Sequence, residues 1–179
     1  MSEKRFPLQP FPGGTQPGDL RLTATVGRRS NIIAIQYVLL GNLTGLAIPA
    51  PAPIPSRKNK LWEETCFEFF VAVKNSPRYW EFNLSPSGHW NGYSFEAYRQ
   101  GMREEMAFTS LPFTVNRQSD SLSLDLETDL GRIVKAGQAI EVAISAVIKR
   151  QDGDVTFWAL IHRGRQADFH LRDNFVVEL

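Results

Sequence analysis

Residues 65–85 read TCFEFFVAVKNSPRYWEFNLS, and the alternation inside this stretch decides the fold. Phe67, Phe69, Val71 and Val73 fall on one face of an extended segment, and Cys66, Glu68, Phe70 and Ala72 fall on the other. After the turn residues Lys74-Asn75-Ser76-Pro77, Trp80, Phe82 and Leu84 share one face, and Tyr79, Glu81, Asn83 and Ser85 share the opposite one. A period of two over this length is the mark of a strand. Neighbouring strands must put their apolar faces on the same side, because a slip of one residue would turn the core outwards. Glu68, Glu81 and Asn83 are therefore expected on one side of one sheet.

Working outward, His89 to Phe95 reads as a third strand after the turn Pro86-Ser87-Gly88. A two-residue hairpin pairing Ser85 with Gly88 places Asn83 opposite Trp90 and Glu81 opposite Gly92. Tyr93 and Phe95 then point into the core. The expected result is a platform of two carboxylates, an amide and an indole. Such a surface suits a sugar: an aromatic face stacks on the ring, and carboxylates and amides pair with its hydroxyls. The competing reading is a solvated outer face, which antiparallel sheets commonly carry.

Further strands are expected at 20–26, 31–40, 121–128, 139–149 and 155–162, with a short last one at 175–179. The proline-alternating run 47–56 cannot be helix or central strand, and reads as an extended crossover between sheets. One short helix is expected over Phe95 to Met106. Residues 1–18 read as an irregular arm with Phe6, Leu8 and Phe11 available to pack, ahead of a single ligand-binding domain over 19–179. Many short strands with little helix predict an all-β, antiparallel, jelly-roll-like β-sandwich.

The 179 residues carry a net charge of +1, so bulk electrostatics argue against nucleic acid and against anionic membranes as partners. No run approaches the ~18 apolar residues of a membrane helix. Cys66 is the only cysteine, which rules out an internal disulfide and suits a reducing compartment, so the cytoplasm is the expected location. Arg57, Lys58 and Lys60 read as a solvated loop.

The segment 61–102 resembles the DOMON-like domains, a superfamily that includes the family-9 carbohydrate-binding modules. The matching residues are Leu61-Trp62, Thr65-Cys66-Phe67-Glu68-Phe69-Phe70, Tyr79-Trp80-Glu81-Phe82-Asn83, Ser85-Pro86-Ser87-Gly88-His89-Trp90 and Tyr98-Arg99-Gln100-Gly101-Met102. Trp158-Ala159-Leu160 and Ala167-Asp168-Phe169-His170 resemble the same group's closing motif. The resemblance implies a β-sandwich that binds its ligand, a sugar or haem, on a concave sheet. Trp62 and Glu68 look like the Trp–Glu pair of the family-9 sugar site, with Trp90 and Trp158 both candidates for the second tryptophan. A haem reading would draw axial ligands from His89, His162 and His170 with Met102 or Met106.

Other constellations have plainer alternatives. His162, His170 and Asp168 form an oriented histidine, a weak metal site, or loop hydrogen bonds, and their spacing matches no zinc motif. Arg99 and Arg103 either clamp an anion or, with Glu104 and Glu105, cap the short helix. Cys66 is a nucleophile or a buried packing residue. Glu68 and Glu81 are binding carboxylates or the acid and base of a hydrolase. Sequence favours a non-catalytic module for a small polar ligand, contacted by Trp62, Glu68, Glu81, Asn83, Trp90, Arg99, Trp158 and His170, with neither metal nor cofactor required. An exposed sheet edge serving dimerisation is a further possibility, and oligomeric state is open.

Overall fold

A computed structural model describes residues 3–179. The strands are β1 (Glu3–Pro10), β2 (Arg21–Arg29), β3 (Ile32–Leu40), β4 (Cys66–Val73), β5 (Tyr79–Leu84), β6 (Trp90–Phe95), β7 (Arg103–Glu104), β8 (Phe113–Arg117), β9 (Ser121–Asp129), β10 (Ile140–Lys149), β11 (Val155–Ala159) and β12 (Val177–Glu178). Single 3₁₀ turns occupy Leu61–Glu63 and Arg172–Asn174. Every pairing between these strands is antiparallel. Among the described residues no helix is long and apolar enough to cross a membrane.

Alternation builds two sheets. One runs β8-β9-β3-β2-β1 and buries Leu22, Ala24, Val26, Ile33, Ile35, Leu122 and Leu124 on its inner face. The other runs β7-β6-β5-β4-β10-β11, with β12 also paired to β10. Its inner face carries Phe67, Phe69, Phe82, Leu84, Val142 and Ile144. On this inner face the cross-strand partners Phe69 and Phe82 stack with centroids 4.6 Å apart. Tyr37, fully buried, donates its hydroxyl to the Glu68 carbonyl at 2.7 Å and so ties β3 to β4. A buried phenol needs such a partner.

Four expectations are corrected here. Residues 3–10 of the arm are a strand: β1 pairs with β2 through Glu3–Leu8 and with β11 through Gln9 and Pro10, so it passes from one sheet to the other. Its prolines are tolerated because neither sheet uses its whole length. Phe95 to Met106 is not a helix. Arg99 (φ 52°) and Gly101 (φ 65°) lie in the left-handed region, an Ala97–Gln100 bridge closes a turn, and Arg103–Glu104 pair with β6. The strand expected over 155–162 ends at Ala159, and β8 was not foreseen. Arg57 is not solvated. Its guanidinium lies 4.4 Å over the Trp90 ring and donates to Asn91 Oδ1 (2.7 Å) and to the carbonyls of Glu105 (3.1 Å) and Phe108 (2.5 Å). The proline run does cross between sheets, from β3 to β4, and is held by the Ala52 N–H on the Ser87 carbonyl.

Candidate functional site

The outer face of the second sheet carries the acids. Glu68 lies directly opposite Asn83 on β5 and Ser145 on β10, and Glu81 lies opposite Phe70 on β4 and Tyr93 on β6. Parity therefore holds across β4 and β5, and the two glutamates are diagonal neighbours. It fails at β6, where Trp90 pairs with Leu84 and faces the core while Tyr93 and Phe95 face the acids. The cause is the turn. Ser85 pairs with His89, and the Gly88 N–H donates to the Ser85 carbonyl at 2.9 Å, so Pro86-Ser87-Gly88 is a three-residue loop. A two-residue hairpin needs positive φ at its first or both central positions, which proline cannot supply; Gly88 takes the positive φ (91°) instead. One extra loop residue turns every side chain of β6 over.

Trp158 is also a core residue. It pairs with Ala146, is 2% exposed and donates its indole N–H to Thr156 Oγ1 at 2.9 Å. Its neighbour Phe157 takes the outward position. Asn83 is fully buried on the acidic face and donates to Glu81 Oε1 at 2.8 Å, so it positions the carboxylate from below.

The outer face is roofed by segments without strand periodicity. Trp62, from the 3₁₀ turn before β4, packs edge-on to Tyr93 at 5.6 Å. The loop 163–175 supplies Phe169 and His170, and is braced by Asn174, which donates to the Asp168 carbonyl (2.8 Å) and accepts the Arg163 N–H (3.2 Å). Asp168 accepts from Arg99 Nη2 (2.9 Å), the Tyr98 hydroxyl (2.5 Å) and the His170 N–H (3.0 Å). Beneath this roof lies a cavity of about 350 Å³ whose lining includes Trp62, Glu68, Glu81, Phe157, Phe169 and His170, with Arg99 and Met102 also contributing.

The electrostatics are those of a buried acid pair. Burial, with the Glu81 charge second, raises the Glu68 carboxyl well above the ordinary carboxylate range. Burial lifts Glu81 to about 7 against the opposing pull of Asn83 and Arg99. Burial, helped by the Arg99 charge, lowers His170 to about 4, so its ring is neutral at neutral pH. The Tyr79 hydroxyl stands 2.8 Å from His170 Nδ1, and His170 Nε2 stands 3.7 Å from Glu81 Oε2.

Five of the eight expected site residues, Trp62, Glu68, Glu81, Arg99 and His170, line one cavity. Trp90 and Trp158 do not reach it. Sequence reasoning missed Phe157 and Phe169 and placed Phe95 inwards. Correct parity at β6 finds Phe95, and parity around Trp158 finds Phe157; Phe169 sits on a loop with no periodic signal. Of the alternatives for His162, His170 and Asp168, loop hydrogen bonding is what forms, the His170 N–H donating to Asp168 Oδ1 at 3.0 Å. His162 lies apart from the cavity, its Nε2 2.9 Å from the Gln9 carbonyl and its ring 5.3 Å from that of Phe11. Cys66 is fully buried, and burial raises its thiol well above the usual range, which makes it a packing residue. Haem fits poorly. One ring nitrogen of His170 is taken by Tyr79, and the other stands 3.7 Å from the Glu81 carboxylate, so neither is a free axial ligand. A larger hollow of about 510 Å³, on the outer face of the first sheet, is lined by Thr25, Gln36 and Asp125 and holds no buried ionisable group.

Comparison with solved structures gives the architecture a setting. A proposed carbohydrate-binding protein from Bacteroides uniformis ATCC 8492 superposes with a TM-score of 0.66 at 13% identity, over 96% of this chain and 83% of that one. A family-9 carbohydrate-binding module from Caldicellulosiruptor kristjanssonii, in complex with glucose, superposes at 0.51 with 7% identity over 84% of this chain and 72% of that one. The complex of such a module with cellotriose superposes at 0.52 with 6% identity, over 89% and 75%. The chain shares its fold with these proteins. No protein-family model and no curated protein matches the chain.

Proposed function

We propose that the chain is a non-catalytic binding module whose ligand is a carbohydrate or a related polyol, held in the cavity over Glu68 and Glu81. The observation that carries this reading is the pair of carboxyls, 2% and 4% exposed, on the floor of an aromatic-walled cavity. A buried carboxyl costs free energy unless hydrogen bonds offset it, and ligand hydroxyls offer them. Trp62, Phe157 and Phe169 offer apolar surface to a ring, and the His170 Nε2–H and Arg99 add donors. The cavity's 350 Å³ lies at the small end of the range for small-molecule sites, about 300–1,000 Å³. Two neighbours in the same fold are complexes with glucose and cellotriose, which supports a sugar as the ligand class.

Binding is favoured over hydrolysis by where the acids stand. A glycosidase needs its two carboxyls flanking the scissile bond, one protonated and one ionised. Here both rise from one sheet face as diagonal neighbours, both are raised by burial, and both approach a ligand from the same side.

Calorimetric titration with glucose and cellotriose tests the proposal. Saturable binding that Trp62→Ala weakens at least several-fold supports it. No heat with either sugar, and none with a wider panel of mono- and disaccharides, removes it.

A further inference from the structure

The acids ask more of a ligand than hydroxyls. Glu81 Oε1 accepts from Asn83, but Oε2 has no hydrogen bond among the described residues; His170 Nε2 stands 3.7 Å away. Glu68's only side-chain hydrogen bond among them is a long one from Ser145 Oγ, at 3.5 Å. Two nearly inaccessible carboxyls thus keep free lone pairs at the floor of a cavity. The one full positive charge on the lining, Arg99, is already matched by Asp168 at 2.9 Å.

We propose that the natural ligand carries a protonated amine seated on Glu68 and Glu81, so that the module selects an amino sugar or amino polyol over its neutral counterpart. The inference rests on the binding reading above and narrows its ligand class. An ammonium brings three donors and one charge to acceptors that lack both. The surrounding Trp62, Phe157 and Phe169 supply the aromatic faces on which a cation is also stabilised. A neutral hydroxyl satisfies one lone pair and leaves the pair's charge, or its captured proton, unchanged.

The amine also displaces protons. The groups facing the pair are Arg99, His170 and Asp168 from the roofing loops, Tyr79 and Tyr93 from β5 and β6, and Cys66 from β4. The tyrosines and the thiol are pushed further up by burial, to about 12 in each tyrosine, and so hold their protons at neutral pH. His170 has already lost its proton there. The protons released on binding an amine therefore come from the glutamates.

The test is calorimetry at neutral pH with glucosamine, glucose and N-acetylglucosamine, in two buffers of different ionisation enthalpy. Glucosamine is expected to bind roughly tenfold tighter than either neutral sugar, about 1.4 kcal/mol, with proton release visible as a buffer-dependent heat. Glu68→Gln and Glu81→Gln, checked for folding by circular dichroism, should draw the glucosamine-to-glucose ratio towards one. Equal affinity for all three sugars overturns the amine inference and leaves the sugar reading standing. Ethanolamine, with ethylene glycol as its neutral match, separates the remaining cases. If no sugar binds but ethanolamine does and ethylene glycol does not, the sugar reading falls and the amine inference stands. If none of the five binds, both fall.

Discussion

The Tyr79 hydroxyl accepts the Arg99 backbone N–H at 3.2 Å and lies 2.8 Å from His170 Nδ1, so its own proton goes to the imidazole. This hydrogen bond sets the tautomer: Nδ1 accepts, and the Nε2–H faces the cavity. Tyr79→Phe removes the donor. Long-range ¹H–¹⁵N spectra should show one Nε2–H tautomer at His170 in the native protein and a mixture in the variant. The loss in stability should be about 1 kcal/mol, the net worth of one hydrogen bond.

The acid pair and the histidine act on stability with opposite signs. Glu81 is raised by burial from 4.5 to about 7 in the fold, so the folded state binds more protons than the unfolded chain between those values. Its contribution is favourable below that window and is lost as pH rises through about 7. His170 is lowered from 6.5 to about 4, so its contribution is lost as pH falls through that range. Glu81→Gln should therefore gain stability relative to the native protein as pH rises from 4.5 to 7, by about 3 kcal/mol for a shift of this size. Urea melts of both proteins across that range read the difference, and a difference that stays flat contradicts the burial of this carboxyl.

The tryptophans divide by location. Trp90 is 5% exposed beneath the Arg57 guanidinium, so Trp90→Ala should cost about 3–5 kcal/mol in a urea melt. Trp62 is half-buried at the cavity wall, so Trp62→Ala should cost roughly 1 kcal/mol of stability or less and yet weaken ligand binding about tenfold.

At the hairpin that sets the parity of β6, Gly88 holds φ at 91°, and a Cβ there would meet Pro55 Cγ at 3.1 Å. Gly88→Ala should destabilise by about 1–2 kcal/mol. Thermal unfolding measures it.

The sandwich and the acidic face were legible in residues 65–85 because burial on one side forces a strict period of two. Glu68, Glu81 and Asn83 share a face for that reason alone. The third strand was misread although the signal was present: Pro86 forbids the two-residue turn that the assumed register required. Trp158 was chosen for its ring rather than its parity, which assigns the outer face to Phe157. β1 was hidden because it divides its pairing between two sheets and buries only Leu8 fully. The roof formed by Trp62, Phe169 and His170 comes from turns and loops, whose positions depend on hydrogen bonds such as those of Asn174 and Asp168 and leave no periodic trace.

Chemical-shift mapping tests the central claim most directly. With ¹⁵N-labelled protein and a saturating sugar, the largest shifts should fall on the Trp62 indole N–H, His170, Arg99 and the backbone of Phe157 and Phe169, while the Trp90 and Trp158 indoles stay still. Shifts gathered around Trp90, or on the opposite sheet near Gln36 and Asp125, would contradict a binding site built on Glu68 and Glu81.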